Sequence, residues 1–285
     1  MNAHNPRVRD PVAALQQVNP HARPLAFKRG HQSPRLMTGH FQGIQRLSNI
    51  GTDMYYAMTR NAWSGAFLIV IRVPQHGRGE IVTKLRLPSD GRGRPLKHPG
   101  GFQVVGDYAA ICVEDARGKR RSQIQFFDVI RPAQPKQVTH LTLNRHGTNR
   151  GRKTAGAVGV WARGTDHLLV VGSWGSRTLD FYESNGKPLD DARCRFDYVG
   201  EWRSEGVTRS GWHPDQEWGN YQSLNLLTDT SDQPYLVAFH RQHGHDYADL
   251  YAVDLSGPIK LKKAWRHHVI LKNRCTFQHA GGVYI

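Results

Sequence analysis

Cysteine is almost missing from this chain. Cys112, Cys194 and Cys275 are the three thiols in 285 residues, an odd number with no CxxC spacing. A disulfide framework and a zinc cluster therefore have no basis, and the thiols read as buried or bystander groups. No run of about eighteen apolar residues is present to cross a bilayer, and residues 1–24 lack the apolar core of a secretory signal. A membrane span is not expected; the compartment stays open, with the cytoplasm as the default. Acidic residues are in deficit, 23 Asp and Glu against 39 Lys and Arg, for a formal charge of +16. A field of that sign attracts polyanions and anionic surfaces without naming them. No GxSxG elbow occurs, and Gly91-Arg92-Gly93-Arg94 is too short and too basic for a phosphate-binding loop. Nothing in the chain specifies a cofactor.

What is plentiful is glycine, 29 residues, with 15 prolines and aromatics spread throughout, the composition of a globular protein rich in short strands and turns. The stretch 98–114 reads as a strand, a tight turn and a second strand, and weaker copies of it recur. Its small-residue anchors Gly43, Gly101, Gly156, Ser223 and Gly281 lie 55 to 67 residues apart, a spacing that signals a repeat architecture. Val, Ile, Tyr, Phe and Leu runs separated by Gly, Pro, Asn and Asp predict four strands per repeat. The first group is 40–47, 55–59, 67–73 and 80–87; the second is 100–105, 108–113, 124–129 and 137–143. The third is 155–162, 167–172, 178–182 and 194–199, and the fourth is 221–228, 235–240, 249–255 and 259–265, with 276–285 beginning a fifth. Residues 1–37 are broken by five prolines and read as an arm with one short helical pattern at 12–18, leaving 38–285 as a single domain.

Four short antiparallel strands per repeat, with Gly, Ala or Ser opening the first, suit inner strands that converge on an axis. The third strands agree with one another, since Phe126-Phe127-Asp128, Phe181-Tyr182-Glu183 and the run from Leu250 to Asp254 each end an apolar-aromatic stretch in an acid. On these residues the chain resembles the β-propeller superfamily over 38–285, an architectural likeness without a named family; the Trp-Asp dipeptide of WD repeats is absent. The resemblance implies an all-β fold of five blades, the last incomplete or closed by the N-terminal arm. A β-sandwich is the alternative fold.

If the propeller holds, one face gathers Arg92, Arg94, Lys97, Lys119, Arg120, Arg121, Arg145, Arg152, Lys153, Arg177 and Arg241. The opposite turns carry Asp53, Asp107, Asp166, Asp229 and Asp232, so a charge dipole across the disc is expected. The loop 200–220 lies on the basic face and carries Trp202, Trp212 and Trp218, which could stack on planar groups or pin the loop to the disc. Trp63 and Trp174 could extend the same aromatic surface.

His40, His98 and His279 each precede an inner-strand small residue and are expected to line one mouth of the channel. Converging neutral imidazoles can hold a metal, as in propellers of the carotenoid-oxygenase type, but the corresponding positions here fall near Lys153 and Asn220. No metal is therefore assigned; the ring suits an anion, a substrate contact or a structural hydrogen-bond set. Gln45, Gln103 and Asn225 recur two residues after the anchors and are expected to bond neighbouring strands. Five-bladed glycosidases of the arabinanase type use inner-strand acids, whereas here those positions hold His, Lys or Asn. Catalytic candidates are accordingly His98 and the loop acids Glu205, Asp215 and Glu217, with paired carboxylates needing about 5–9.5 Å between them.

The leading expectation is a binding protein for an acidic small molecule, glycan or other polyanion, using the three histidines, the basic loop residues and Trp202, Trp212 and Trp218. A hydrolase or lyase on the same scaffold is the second reading. A protein-interaction platform, with the aromatics as a hot spot for a protein partner, is the third.

Overall fold

The computed structural model describes residues 7–23, 27–28, 39–89, 95–115, 120–146, 154–205, 217–271 and 276–285. The arm contributes β1 (Arg7–Val8), α1 (Pro11–Gln16) and β2 (Phe27–Lys28). Asp10 caps α1, its Oδ1 accepting the Ala13 N–H at 3.0 Å, and Pro11 opens the first turn with the φ a helix needs. Sixteen longer strands follow. They are β3 (Phe41–Ile50), β4 (Asp53–Ala62), β5 (Gly65–Val73) and β6 (Gly79–Arg86), then β7 (His98–Val105), β8 (Tyr108–Glu114), β9 (Arg121–Asp128) and β10 (Lys136–His146). The last eight are β11 (Ala157–Arg163), β12 (Asp166–Gly172), β13 (Thr178–Ser184) and β14 (Phe196–Arg203), then β15 (Ser223–Asp229), β16 (Pro234–Gln242), β17 (His245–Asp254) and β18 (Lys260–Val269).

Each group of four forms an antiparallel unit in sequence order, so all sixteen predicted strands fall where the alternation puts them, give or take their ends. The turns explain why. Between β7 and β8 the chain reverses through Gly106 and Asp107, and Gly106 takes φ +53°, a conformation glycine adopts without a Cβ penalty.

The first strands β3, β7, β11 and β15 lie against one another at the centre of a nearly all-β, propeller-like arrangement. Gly101 shows what this proximity demands. A Cβ there would sit 2.4 Å from Gln222 O and 2.7 Å from Ser223 Cα, so no larger residue fits without parting β7 from β15. Side-chain amides complete the centre. Gln103 Nε2 donates to Leu226 O at 2.7 Å, while its Oε1 accepts the N–H groups of Val160 and Leu226 at 2.8 and 2.7 Å. One amide thus ties three inner strands, and Gln45 Nε2 donates to Asn225 Oδ1 at 3.2 Å beside it.

Apolar faces fill the space between units. Phe102, Ile111, Phe126 and Val160 belong to one buried cluster shared by the second and third units, and Leu179, Phe181, Leu224 and Tyr251 to another between the third and fourth. Truncating a ring such as Phe102 to Ala costs about 3–5 kcal/mol, because the lost transfer energy adds to the cavity left behind. Cys112 and Cys194 are both buried, and burial pushes the Cys194 thiol up to about 11.

Several expectations change. The tail 276–285 forms no strand; Gly281 N–H donates to Ser223 Oγ at 3.1 Å and Val283 N–H to Asn225 Oδ1 at 2.8 Å, side-chain partners in place of a ladder. Among the described residues the arm does not build a further unit: β1 pairs in parallel with β15, and β2 with β6, at the edges of existing sheets. Its helix spans Pro11–Gln16, shorter than the 12–18 pattern. The outer strand of the third unit is Phe196–Arg203 instead of 194–199, which carries Trp202 out of the expected loop and into the sheet. No helix among the described residues is long and apolar enough to cross a membrane.

Candidate functional site

Three of the repeat anchors bring their preceding histidines together. His40 stands just before β3, His98 opens β7 and His279 lies in the tail. The ring centroids of His40 and His279 are 4.5 Å apart, and those of His40 and His98 are 6.3 Å apart. Between them stands Gln42, placed on the same face as His40 by the period of two along a strand. Its Nε2 is 3.0 Å from His98 Nε2 and also contacts His40 Nε2.

His98 is the most tightly held of the three. A bulge between Pro99 and Phe102 in β7 leaves His98 opposite Glu114 at the end of β8. Glu114 Oε1 faces His98 Nδ1 at 3.1 Å, an ion-pair contact outside hydrogen-bond alignment, and Oε2 accepts the Ala155 N–H at 2.8 Å. The Glu114 side chain is 0% exposed, so this carboxylate is directed inward to its two partners. On the other side the His98 ring stacks on Trp174, 5.3 Å between centroids and 7° from parallel. Trp174 is 43% exposed, and its backbone N–H donates to Thr154 Oγ1 at 2.8 Å. Burial, followed by the neighbouring imidazoles, holds His40 and His279 below the ordinary imidazole range.

These groups border a cleft of about 530 Å³. Its lining adds Asn220, Gln222 and Gln278, then Arg241 from the end of β16 with His243 and Gly244 from the turn that follows, and it contains no carboxylate among the described residues. No set of three or more His, Cys, Asp or Glu in a metal-holding arrangement occurs among the described residues. At the other end of the inner strands a smaller hollow of about 190 Å³ is bordered by Gln45, Arg46, Gln103 and the tail residues Val283 to Ile285. Its amides are already engaged, Gln45 with Asn225 and Gln103 with the backbone of neighbouring inner strands.

The remaining candidates scatter. Arg92, Arg94, Lys119, Arg152, Lys153, Trp212 and Asp215 lie outside the described residues. Lys97 donates from Nζ to Trp63 O at 3.0 Å, and Arg120 and Arg121 stand at the start of β9, away from the cleft lining. Trp202 is 5% exposed on β14, packed 4.4 Å from the Trp218 ring, and Trp218 Nε1–H donates to Ser176 O at 3.0 Å. These two tryptophans secure the chain that enters β15; as placed, Trp202 is buried and offers no face to a ligand. Glu205 and Glu217 are exposed and do not line the cleft. Trp63 is 78% exposed, also apart from it.

The expected charge dipole is weaker than the turns suggested. Arg145 is buried at the end of β10, where it contacts Asp180 and donates from Nε to Tyr182 OH at 3.0 Å, so it links two units and presents no charge to solvent. On the opposite side the acids have basic partners of their own: Arg7 with Asp232 at 2.7 Å, Arg72 with Asp53 at 3.9 Å and Arg163 with Asp166 at 4.0 Å. Arginines therefore stand on both faces.

Beside the cleft the fourth unit holds a buried ionic knot that the sequence did not reveal. Asp249 on β17 receives Arg266 Nε at 2.7 Å and Nη2 at 2.9 Å, Lys263 Nζ at 3.0 Å, His240 Nε2 at 3.2 Å and the Tyr221 hydroxyl at 2.6 Å. Burial alone would raise its pKa, but Arg266, His240 and Lys263 outweigh it and hold the carboxyl well below the usual range. Burial pushes the Tyr221 and Tyr251 hydroxyls, 2.6 Å apart, far up. The alternation that finds Gln42 from His40 carries a sequence signal. Nothing comparable marks Glu114 or Asp249, whose partners arrive from other strands.

No protein-family model matches the chain, and no curated protein matches it. Among solved structures it is similar to the sucrose-6-phosphate hydrolase of Lactobacillus gasseri, with a TM-score of 0.44 and 8% identity. That likeness covers 76% of this chain and 47% of the other, so the chain spans about half the length of that enzyme.

Proposed function

We propose that the protein binds an acidic glycan, or a related hydroxylated anion, in the histidine-lined cleft. One observation carries the reading. Four imidazoles, Arg241, four carboxamides and the exposed Trp174 border a single cleft with no carboxylate among its described lining. Carboxamides both donate to and accept from hydroxyl groups, an indole face packs on the apolar face of a sugar ring, and Arg241 supplies a bidentate donor for carboxylate or sulfate. We read the ring as a five-position propeller in which the tail fills the fifth inner place, so that His279 reaches the other two histidines.

The test is affinity across a panel of neutral and acidic oligosaccharides of equal length. Tighter binding of the acidic members, weakened by Arg241→Ala and Trp174→Ala and by added salt, supports the assignment. Equal binding of neutral and acidic members, or retention of affinity in both variants, contradicts it.

The Glu114–His98 contact favours a second reading, an enzyme. An imidazole with a buried carboxylate 3.1 Å from its Nδ1 at the edge of a cleft is a candidate general base for a hydrolase or lyase. Turnover of an acidic polysaccharide that is lost in His98→Ala and shifted in pH profile in Glu114→Gln supports that role. Binding without turnover across a polysaccharide and ester panel contradicts it.

A further inference from the structure

The Gln42 amide sits between the Nε2 atoms of His40 and His98, and which of its ends faces them is tied to their protonation. An amide nitrogen carries two hydrogens and no acceptor lone pair. With Nε2 of Gln42 toward Nε2 of both His40 and His98, the amide donates, and that orientation calls for a lone pair on each of those ring nitrogens. Glu114 Oε1 stands 3.1 Å from the Nδ1 of His98. Protonating either ring at Nε2 would set N–H against N–H. The amide would then have to turn over and offer its oxygen.

We propose that the mouth is a proton-coupled oxyanion receptor. A sulfate, phosphate or carboxylate group seated among His40, His98 and His279 draws protons onto the imidazoles and turns the Gln42 amide about. The proposal rests on the acidic-ligand reading above and adds how the site is regulated. The geometry that carries it is the approach of three imidazoles within 4.5 to 6.3 Å along one chain of contacts through a single rotatable amide. Without an anion, charging a second ring in this cluster is opposed by the first. An anion between the rings reverses the sign of that interaction.

The surrounding charges do not pre-empt the effect. Glu114 of β8 is shared between His98 and the Ala155 N–H. Arg241 at the end of β16 and His243 in the turn that follows face the cleft and favour an anion. Asp246 of β17 is held by Thr276 Oγ1 at 2.9 Å, by the Phe277 N–H at 2.6 Å and by Arg241 at 4.0 Å. Lys97 is directed to Trp63 O, and Arg60 lies 5.8 Å over the Phe41 ring. Burial and mutual repulsion, which keep His40 and His279 uncharged in the free protein, leave protons to be taken up when the anion arrives.

Linkage fixes the sign: if binding takes up protons, affinity rises as pH falls, by about tenfold per pH unit for each coupled proton. The experiment is calorimetric titration of sulfate, then of a uronic acid, into the full chain in buffers of different ionisation heat. It spans about pH 6 to about pH 8, which brackets the ordinary imidazole pKa. Expected are an apparent heat that varies with buffer, a net uptake of protons, and affinity that climbs toward pH 6. Gln42→Glu should prepay the protons and repel the anion, removing both binding and uptake while raising the imidazole pKa values seen by NMR. His279→Gln should reduce the uptake with the protein still folded by circular dichroism. Binding with no proton exchange overturns the coupling and leaves the acidic-ligand reading standing. Absence of binding by sulfate, by the uronic acid and by every acidic oligosaccharide overturns both. Sulfate alone binding marks a free inorganic anion as the ligand, and uronic acid binding more tightly marks a glycan; either supports the receptor.

Discussion

Two clusters of histidine and carboxylate lie close together in this molecule and are built to opposite ends. At the mouth, His98 and Glu114 face each other at 3.1 Å, and the outer ring nitrogens of His40 and His98 are served by one glutamine amide. In the knot, His240 and Asp249 approach to 3.2 Å, but Arg266, Lys263 and Tyr221 also converge on that carboxylate. The knot is closed, since each charge has a fixed counter-charge and the Asp249 side chain is 0% exposed. The mouth is open, bordered by a 530 Å³ cleft. The same residue types therefore hold structure in one place and remain available in the other, and saturation of partners separates the two roles.

The largest expected effect breaks the knot. Asp249→Asn would leave Arg266 and Lys263 buried without a counter-charge, and a loss of about 3–5 kcal/mol of unfolding free energy is expected by denaturant titration. Next comes His98→Ala, which should weaken an acidic ligand by tenfold or more, about 1.4 kcal/mol, while the denaturation midpoint moves far less than in the Asp249 variant. If His98→Ala unfolds the protein as severely as Asp249→Asn, the division between the clusters fails.

The pH dependence sharpens the contrast because the two clusters respond in different windows. Asp249 has a depressed pKa, so its contribution is present above the unfolded carboxylate value of about 3.9 and is lost as pH falls through the lower folded value. His40 and His279 are also depressed, but as bases: below the unfolded imidazole value of about 6.5 the unfolded chain binds more protons, and stability declines toward each folded value. Thermal unfolding should therefore show a shallow loss below about pH 6.5, cancelled by sulfate, and a separate strongly acidic loss that sulfate does not cancel. Trp174→Ala should weaken ligand by about 0.5–1.5 kcal/mol, the worth of an aromatic contact. Trp63→Ser should be the smallest change, within about 0.5 kcal/mol in stability and without effect on affinity, as its ring is 78% exposed and apart from the cleft.

Much of the scaffold was legible because strands announce themselves locally. Alternation and Gly-Asp turns located all four units, and the recurrence of Gly43, Gly101 and Gly281 was enough to bring His40, His98 and His279 together. The same register anticipated that Gln45, Gln103 and Asn225 would bond across inner strands. What could not be read were pairings made between units. Arg145 reads as one more basic turn residue until β13 supplies Asp180, and Trp202 reads as a loop residue until β14 extends to Arg203. The expected dipole is weakened for a related reason: the acids of the far turns were counted without Arg7, Arg72 and Arg163, which lie in other stretches of the chain. Glu114 takes its meaning from the bulge between Pro99 and Phe102 that sets it opposite His98.

The most direct measurement is NMR mapping of an acidic oligosaccharide on the labelled protein, comparing the two ends of the inner strands. Ligand should shift the imidazole signals of His40, His98 and His279, the Trp174 indole N–H and the Gln222 amide, and leave Gln45, Arg46 and Tyr284 at the opposite hollow unmoved. Shifts confined to that opposite hollow, or no shift at the three histidines at saturating ligand, would contradict the assignment of the open cluster as the binding site.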